Sequence, residues 1–499
     1  MNSPSDHLAP RLEWARRWLT LEPKGAVVGG AWMIQGERIA AVNPVDQSTL
    51  THFAETPRET VELAVSRAHT AYASWRKTNR KERAQLLNRI ASAIREHHAE
   101  LATLETLNNG KLYRESVKDD LPEAAEVFEY YAGWTNKLYG ETAPVEGDFL
   151  NYIVREPLGV CALIVPWNFP LLMACWKMAP ALAMGNTVIL KPSPFTSLSA
   201  IRLFEILEEK NILPSGVINL VLGGRSVGEC LSQHPHVAKI AFTGSTPVGK
   251  LIASQSALSN LKGVSLELGG KSPNIIFNDP PDLEEAIQRS FEAMFSHKGE
   301  KCSEPTRLLV HKDVAKTVIA GLVKRAEAVK CGDPFDARSD QGPQCHKAHY
   351  DKVMDYIRIG KEEGARLAAG GVNDRNGSNA HGLFIRPTIF ADVRPEMKIA
   401  KEEIFGPVLT VTEFTTDDEA VAMANDTVFG LAAGLWTKDI TRAHRIAERL
   451  DAGQVFINRY GCYDFASPFG GFRQSGWGKE MAIHSLDSYT KRKSVWVKL

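Results

Sequence analysis

The sequence predicts an α/β protein made of two mostly parallel sheets with crossover helices, plus a smaller extended arm. Three observations carry this. Short apolar runs at 160–165, 187–190, 217–222, 239–242 and 264–268 alternate with amphipathic stretches, and strands joined through helices pair in parallel. After Gly269 and Gly270 the alternation begins again, with runs at 274–277 and 307–310. A chain of 499 residues also exceeds what one hydrophobic core supports, so two or three domains are expected.

In chain order, residues 1–55 read as short strand-like pieces with turns at Gly29, Gly30, Asn43 and Pro44. From 60 to 109 the period is helical, marked by Leu63, Val65, Ala68, Ala71 and Trp75 and then by Leu87, Ile90, Ile94 and Leu101. A further helix is expected over 119–138, and 140–152 reads as extended. Helical patterns fill every link between the next five strands except the last two. Beyond 270, helices are expected from Asp282 and Val314 and near 346–363, 417–425 and 441–450. Strands are expected near 408–414, 432–436 and 455–458, and 485–499 returns to extended character. The chain carries no repeat and no low-complexity tract.

Composition excludes several classes of function. A hydrophobic share of 44% with 24% charged residues is ordinary for a soluble enzyme. Lys+Arg and Asp+Glu both number 59, so no basic excess invites nucleic acid or an anionic membrane. The seven cysteines are scattered without a C-x-x-C pair, which argues against a zinc site or disulfide framework and for a reducing compartment. The apolar segment 158–190 is interrupted by Pro166, Asn168, Pro170, Lys177, Pro180 and Asn186, so it reads as a buried strand–helix–strand and not a membrane span. Residues 1–20 have charges inside their only apolar stretch and lack a signal-peptide core. A cytoplasmic location is expected.

Four stretches carry chemistry. Cys302 lies among glycine, charged residues and proline in SHKGEKCSEP (296–305); Lys298 and Lys301 nearby would favour a thiolate nucleophile. PWNFP (166–170) follows an apolar strand, at the strand end where parallel sheets place ligands. Its stiffly held Asn168 suits a preorganised donor, although the stretch also fits a proline-rich turn. Glu267 stands alone at an apolar strand end in LELGGKSP (266–273). Burial would raise its pKa toward that of a base working near neutrality, unless it pairs locally with Lys271. FTGSTPVG (242–249) and LGGRSVG (222–228) are glycine turns before helix starts, able to take a pyrophosphate, but neither has the G-x-G-x-x-G spacing.

Together with KP (191–192), EEIFGPV (402–408) and SPFGGFRQSG (467–476), these windows resemble the aldehyde dehydrogenase superfamily from about residue 43 to 497. The resemblance implies a Rossmann-like cofactor domain (1–139 and 156–269), a second α/β catalytic domain (270–484), and an oligomerisation arm (140–155 and 485–499) that would make a homodimer or homotetramer. It implies NAD or NADP as cofactor and an aldehyde as substrate, with no metal. Cys302 would attack the carbonyl, the Asn168 side chain and the Cys302 amide would hold the oxyanion, and Glu267 would activate the hydrolytic water. Lys191 and Glu403 would bind the cofactor riboses, Ser245 the pyrophosphate, and Phe405 would flank the nicotinamide ribose. Pro166, Trp167, Ser193, Pro194, Gly224, Arg225, Gly228, Phe242, Gly244, Val248, Leu268 and Gly269 complete the implied cofactor contacts.

Departures from the family pattern are informative. His297 and Glu300 replace a common Asn and Gln before the nucleophile, and Thr306 a common Ser. Glu480 matches an acid sometimes linked to proton movement, or serves a structural bond. Pro194 stands where NAD-preferring relatives often carry Glu, whose carboxylate accepts from the ribose 2′-OH and repels a 2′-phosphate; with Lys191 and Arg225 nearby, both cofactors should work. KPSPFT and Trp176 are similar to the branch handling betaine aldehyde, trimethylaminobutyraldehyde and aminoaldehydes. Phe169, Trp176, Tyr463 and Phe469 would line the aldehyde tunnel, with Tyr460 at its mouth. Such rings attract quaternary ammonium but equally suit any fatty or aromatic aldehyde. Asp120, Glu123 and Glu126 would favour a cation, or form a solvated helix face. Two rival readings are a CoA-acylating relative, which commonly lacks the glutamate found at 267, and a non-catalytic protein of the same fold.

Overall fold

Five parallel strands form the middle of an eight-stranded sheet. In chain order they are Val160–Ile164, Thr187–Lys191, Ile218–Leu220, Val237–Thr243 and Gly263–Glu267, and in space they run third, second, first, fourth, fifth. The order reverses between Val160–Ile164 and Val237–Thr243, which opens a crevice at their carboxyl ends. The computed structural model describes residues 8–21, 24–374 and 379–499. The start of the expected first domain and of the 1–20 reading, residues 1–7, lies outside the described residues, as do 22–23 and 375–378.

Helices occupy every crossover of this sheet, including the two links where the sequence shows no plain period: Arg225–Gln233 and Thr246–Ser259. Both begin at glycine or serine turns; the first has only nine residues, and the apolar residues of the second are not confined to one face. The long helical pattern over 60–109 is broken into Arg58–Trp75, Arg80–Glu96 and His98–Asn109. Asn79 accepts from Lys81 N and starts the second helix. Gly110, at φ 84°, closes the third, and a side chain there would meet Pro44 and Pro343.

The second sheet holds seven strands in the order Arg366–Ala369, Thr388–Ala391, Val408–Phe414, Arg307–His311, Pro273–Ile276, Ala432–Trp436, Gln454–Ile457, parallel except for the first pair. The first two of these are absent from the expected elements. From the far end of the chain, Gly476–Trp477 returns to pair with Gly263–Glu267 in the first sheet. A third sheet stands apart, with Phe149–Pro157 between Thr490–Lys498 and Glu141–Ala143.

Three sequence expectations need correction. Residues 1–55 are not all strand-like, since Leu8–Thr20 is a helix. Its Ala15, Trp18 and Leu19 are buried, and Trp18 Nε1 donates to Glu205 at 2.7 Å; the charges between them masked a helical stripe. The helix expected over 119–138 is preceded by a π-helical turn, Ser116–Asp120, and ends at Ala132. Residues 485–487 of the expected extended arm are the end of a helix, Ala482–Asp487. Among the described residues no helix is long and apolar enough to cross a membrane.

One fully buried amide ties these parts together. Asn186 Oδ1 accepts from Leu158 N (2.7 Å) and Gly159 N (3.0 Å), while Nδ2 donates to Ala181 O (3.1 Å) and Tyr489 O (2.9 Å). Asn186→Ala takes this partner from Leu158 N, Gly159 N and Tyr489 O, while Ala181 O keeps its bond from Asn186 N, and is expected to cost about 3 kcal/mol, read from the urea midpoint of unfolding. An unchanged midpoint would show that these bonds add nothing to stability.

Candidate active site

The crevice of the first sheet and the edge of the second enclose a cavity of about 470 Å³. Pro166, Trp167, Asn168 and Phe169 enter it from the end of Val160–Ile164, and Pro170 then starts the helix Pro170–Ala183. Thr243, Gly244 and Ser245 enter from Val237–Thr243, and Glu267, Leu268 and Gly269 from Gly263–Glu267. Cys302 and Ser303 come from the loop after the turn Ser296–Gly299. Asn168, Glu267 and Cys302, spread over the chain, therefore share one cavity. Gly270 permits the approach: a side chain there would overlap the Cys302 carbonyl oxygen.

The amide of Asn168 is held by one of its two hydrogens, with Nδ2 donating to Glu300 O at 2.8 Å. The second N–H is left for the cavity. Glu267 is 4% exposed and its Oε2 has no hydrogen-bond partner. Burial pushes its carboxyl up to about 8, against the pull of Lys177 and Lys479. The local alternative does not form, since Lys271 Nζ makes no bond to it and is itself without a hydrogen-bond partner.

The environment of Cys302 reverses the expectation drawn from its neighbours. Lys298 Nζ turns to Asn109 and Glu300, and Lys301 Nζ bonds Ser296 Oγ at 2.7 Å. Burial, then the Glu267 and Glu403 carboxylates, push the thiol up to about 12. Proximity in sequence misled because the turn carrying Lys298 is left-handed, with φ 49° at His297 and 65° at Lys298. The resting thiol is therefore protonated, and a cation entering the cavity would lower its pKa.

A dinucleotide fits the rest of the crevice. The helix Thr246–Ser259 has 14 residues, its N-cap Ser245 makes no side-chain capping bond, and buried Thr243 Oγ1 lacks a partner beside it. That leaves amide and hydroxyl donors for a pyrophosphate. Glu403 accepts from Gly270 N at 2.9 Å, and Phe405, at φ 64°, packs edge-on against Trp167. Pro166, Trp167, Gly244, Ser245, Leu268, Gly269, Glu403 and Phe405 all line the cavity. Lys191, Gly224, Arg225 and Gly228 cluster instead where Lys191 approaches Gly228 and its Nζ donates to Gly223 O at 2.8 Å. Burial pushes Lys191 down to about 8. Ser193 is buried, with Pro194 after it. Arg225 is committed to Glu229 at 2.7 Å. Val248 is exposed on the first turn of its helix, and the Phe242 ring is core packing under Gly244.

The other wall is aromatic and acidic. Trp176 and Phe469 rings lie 5.5 Å apart, Phe469 and Tyr463 5.7 Å, and Tyr463 OH bonds Ser303 Oγ at 2.7 Å. Phe169 is covered by His297 on one side and by Lys111 on another. Tyr460 does not stand at the mouth. It is 6% exposed behind the nucleophile loop, donating to Ser303 O at 2.9 Å, because its ring fills the space above Gly434. Of the three acids weighed from sequence, Asp120 and Glu123 face the cavity while Glu126 lies 3.9 Å from Arg95. The π-turn adds Asp119. Asp120 is paired with Lys111 at 2.5 Å, which leaves Asp119 and Glu123 as the carboxyls that a cation in the cavity would meet. Burial, then Asp120 and Asp119, push Glu123 up to about 7.

Several residues escape sequence reasoning. Glu55 accepts from Gly224 N at 3.0 Å beside Lys191, and buried Lys177 pairs with Glu480, which lines the cavity. His346 and His349 pack around Trp167. A lone charge within an apolar helix marked Lys177 and the family resemblance marked Glu480, while nothing in the sequence marked Glu55, His346 or His349.

Comparison with known proteins points one way. A profile of the Aldehyde dehydrogenase family matches residues 32–495. The chain is 43% identical over 468 residues to the NADP/NAD-dependent aldehyde dehydrogenase PuuC of Escherichia coli (strain K12), covering 93% of each. The NAD+ complex of an aldehyde dehydrogenase from Bacillus cereus superposes with a TM-score of 0.94 at 42% identity, over 98% of this chain and 99% of that one. Betaine aldehyde dehydrogenase from Staphylococcus aureus, in complex with NAD+, gives 0.93 at 37% identity over 97% and 96%.

The buried thiol makes a pH prediction. With no cofactor added, iodoacetamide labelling at Cys302, followed by peptide mass spectrometry, should climb steadily, with no plateau between about pH 6 and 10. Glu267→Gln removes a negative charge and should speed labelling above pH ~8. A plateau near pH 8 in the unmutated protein would contradict this environment.

Proposed function

Because the chain belongs to the aldehyde dehydrogenase family, we propose that it oxidises an aldehyde to the carboxylic acid through a covalent intermediate on Cys302. The observation that carries the reading is the meeting of Cys302, the tethered Asn168 amide and the partnerless Glu267 in one cavity that opens on an uncapped helix terminus. The thiol gives up its proton to solvent, and the resulting thiolate attacks the carbonyl carbon. The oxyanion takes the second N–H of Asn168 and the Cys302 main-chain N–H, both fixed before reaction. Bound NAD or NADP supplies the acceptor for the hydride that leaves the former aldehyde carbon. Glu267 then takes a proton from water, whose oxygen attacks the thioester, and the Cys302 sulfur departs as the acid is released. Since only the ionised carboxylate can accept that proton, hydrolysis should rise with pH through about 8.

Pro194 supports use of both cofactors, as it offers no carboxylate to a ribose 2′-position. Asp119 and Glu123 beside the rings of Phe169, Trp176, Tyr463 and Phe469 support a cationic aldehyde, of the aminoaldehyde or betaine type. The exposed Phe149, Leu150, Trp496 and Val497 on the third sheet support pairing between subunits as a dimer or tetramer, and a cytoplasmic location fits the free cysteines.

A panel of aldehydes, with NAD(P)H formation read by absorbance, tests the proposal. Aminoaldehydes should exceed neutral aldehydes of equal length in kcat/KM by about tenfold, and Glu123→Gln should narrow the gap. The kcat/KM with NADP should stay above about a thousandth of that with NAD, a span of ~4 kcal/mol. Cys302→Ala should abolish turnover, and full NAD(P)H formation by that variant would overturn the assignment.

A further inference from the structure

The turn before the nucleophile is wound against the preference of L residues. His297, Lys298 and Gly299 follow one another at φ 49°, 65° and 71°, and only the last is a residue that adopts this region freely. Such a turn persists only where its surroundings fix it. Here the fixing group is Lys298, whose side chain is 1% exposed. Its Nζ donates to Asn109 O and Asn109 Oδ1, both at 2.9 Å, and lies 2.8 Å from Glu300 Oε2. The other Glu300 oxygen accepts from Cys345 N at 3.0 Å.

These contacts close a ring around Asn168. Its side chain donates to Glu300 O at 2.8 Å, and the carbonyl of the preceding residue, Trp167, accepts from Asn109 Nδ2 at 2.8 Å. Both tethers run back to the one ammonium of Lys298. A buried ion pair contributes little net stability, while a broken one leaves a costly unpaired charge. Such a pair, two residues from the nucleophile, is suited to fixing geometry. Neither Lys298, Glu300 nor Asn109 lines the cavity.

We infer that Lys298, Glu300 and Asn109 are positioning residues that lock the Asn168 amide against the Cys302 loop, one N–H engaged by Glu300 and the other aimed at the carbonyl oxygen of the substrate. This rests on the roles proposed for Cys302 and Asn168.

The test separates two reactions of one sulfur. Acylation by p-nitrophenyl acetate, in which the thiolate attacks the ester carbonyl and p-nitrophenolate leaves, needs a stabilised oxyanion. Alkylation by iodoacetamide, in which iodide leaves, needs only the thiolate. Glu300→Gln should slow acylation by about 10- to 100-fold while alkylation stays within about threefold. The double variant Lys298→Gln with Glu300→Gln, which makes the pair neutral, should return acylation to within about threefold of the unmutated protein. Should Glu300→Gln fail to fold, Asn109→Ala keeps the ion pair, removes the link to Trp167, and should show the same split. Unchanged acylation in these variants, an equal fall in both reactions, or no recovery in the double variant overturns the clamp. Cys302→Ala or Asn168→Ala retaining acylation would instead overturn the roles beneath it.

Discussion

The bond from Asn168 Nδ2 to Glu300 O, 2.8 Å long, joins the working edges of the two sheets. Asn168 belongs to the crevice of the first sheet, and Glu300 to the loop that enters Arg307–His311 of the second. With this contact made, the sulfur, the amide and the carboxylate face one volume. Gly270 lets the strand end carrying Glu267 pass close to the same loop, and Gly476–Trp477 pairs with that strand from its other side. Glycines and a short return strand thus do the work of bringing the groups together, while the bulk of both sheets supplies stiffness.

That convergence has an electrostatic cost. Removing Cys302, Glu267 and Glu403 from water pushes all three toward their neutral forms, and each negative charge that does form raises the pKa of the others. The cavity is therefore acidic, poorly solvated and ready to gain from a positive charge. Such a field favours a ligand that brings positive charge. Glu480 lines the cavity and pairs with Lys177 behind it, and Lys177, driven down by burial to about 7, adds to the same balance.

Much of this was legible in the sequence, for reasons of period and composition. Strand and helix alternation reads most clearly where a strand is buried along its whole length, as at Val160–Ile164, Thr187–Lys191 and Ala432–Trp436. Asn168 and Glu267 stand out as polar groups in proline-bound and apolar settings, and Cys302 as a thiol among glycine and charged residues. What escaped depends on chain direction in three dimensions. Lys298 is near Cys302 in sequence but points away because two residues are left-handed. Tyr460 looked like a tunnel residue, yet packs behind the loop on Gly434. The helix Leu8–Thr20 hid behind its charges, and Asp119 reaches the cavity through a π-turn that no local period announces.

The proposed reaction needs Cys302 to hold the acyl group and Glu267 to release it, and trapping the intermediate tests both at once. Mixed with NAD+ and an aldehyde, the Glu267→Gln protein should give a burst of about one NADH per active site, then stall. The peptide containing Cys302 should carry the mass of the acyl group. Absence of a burst, or an adduct found on another residue, would contradict the account.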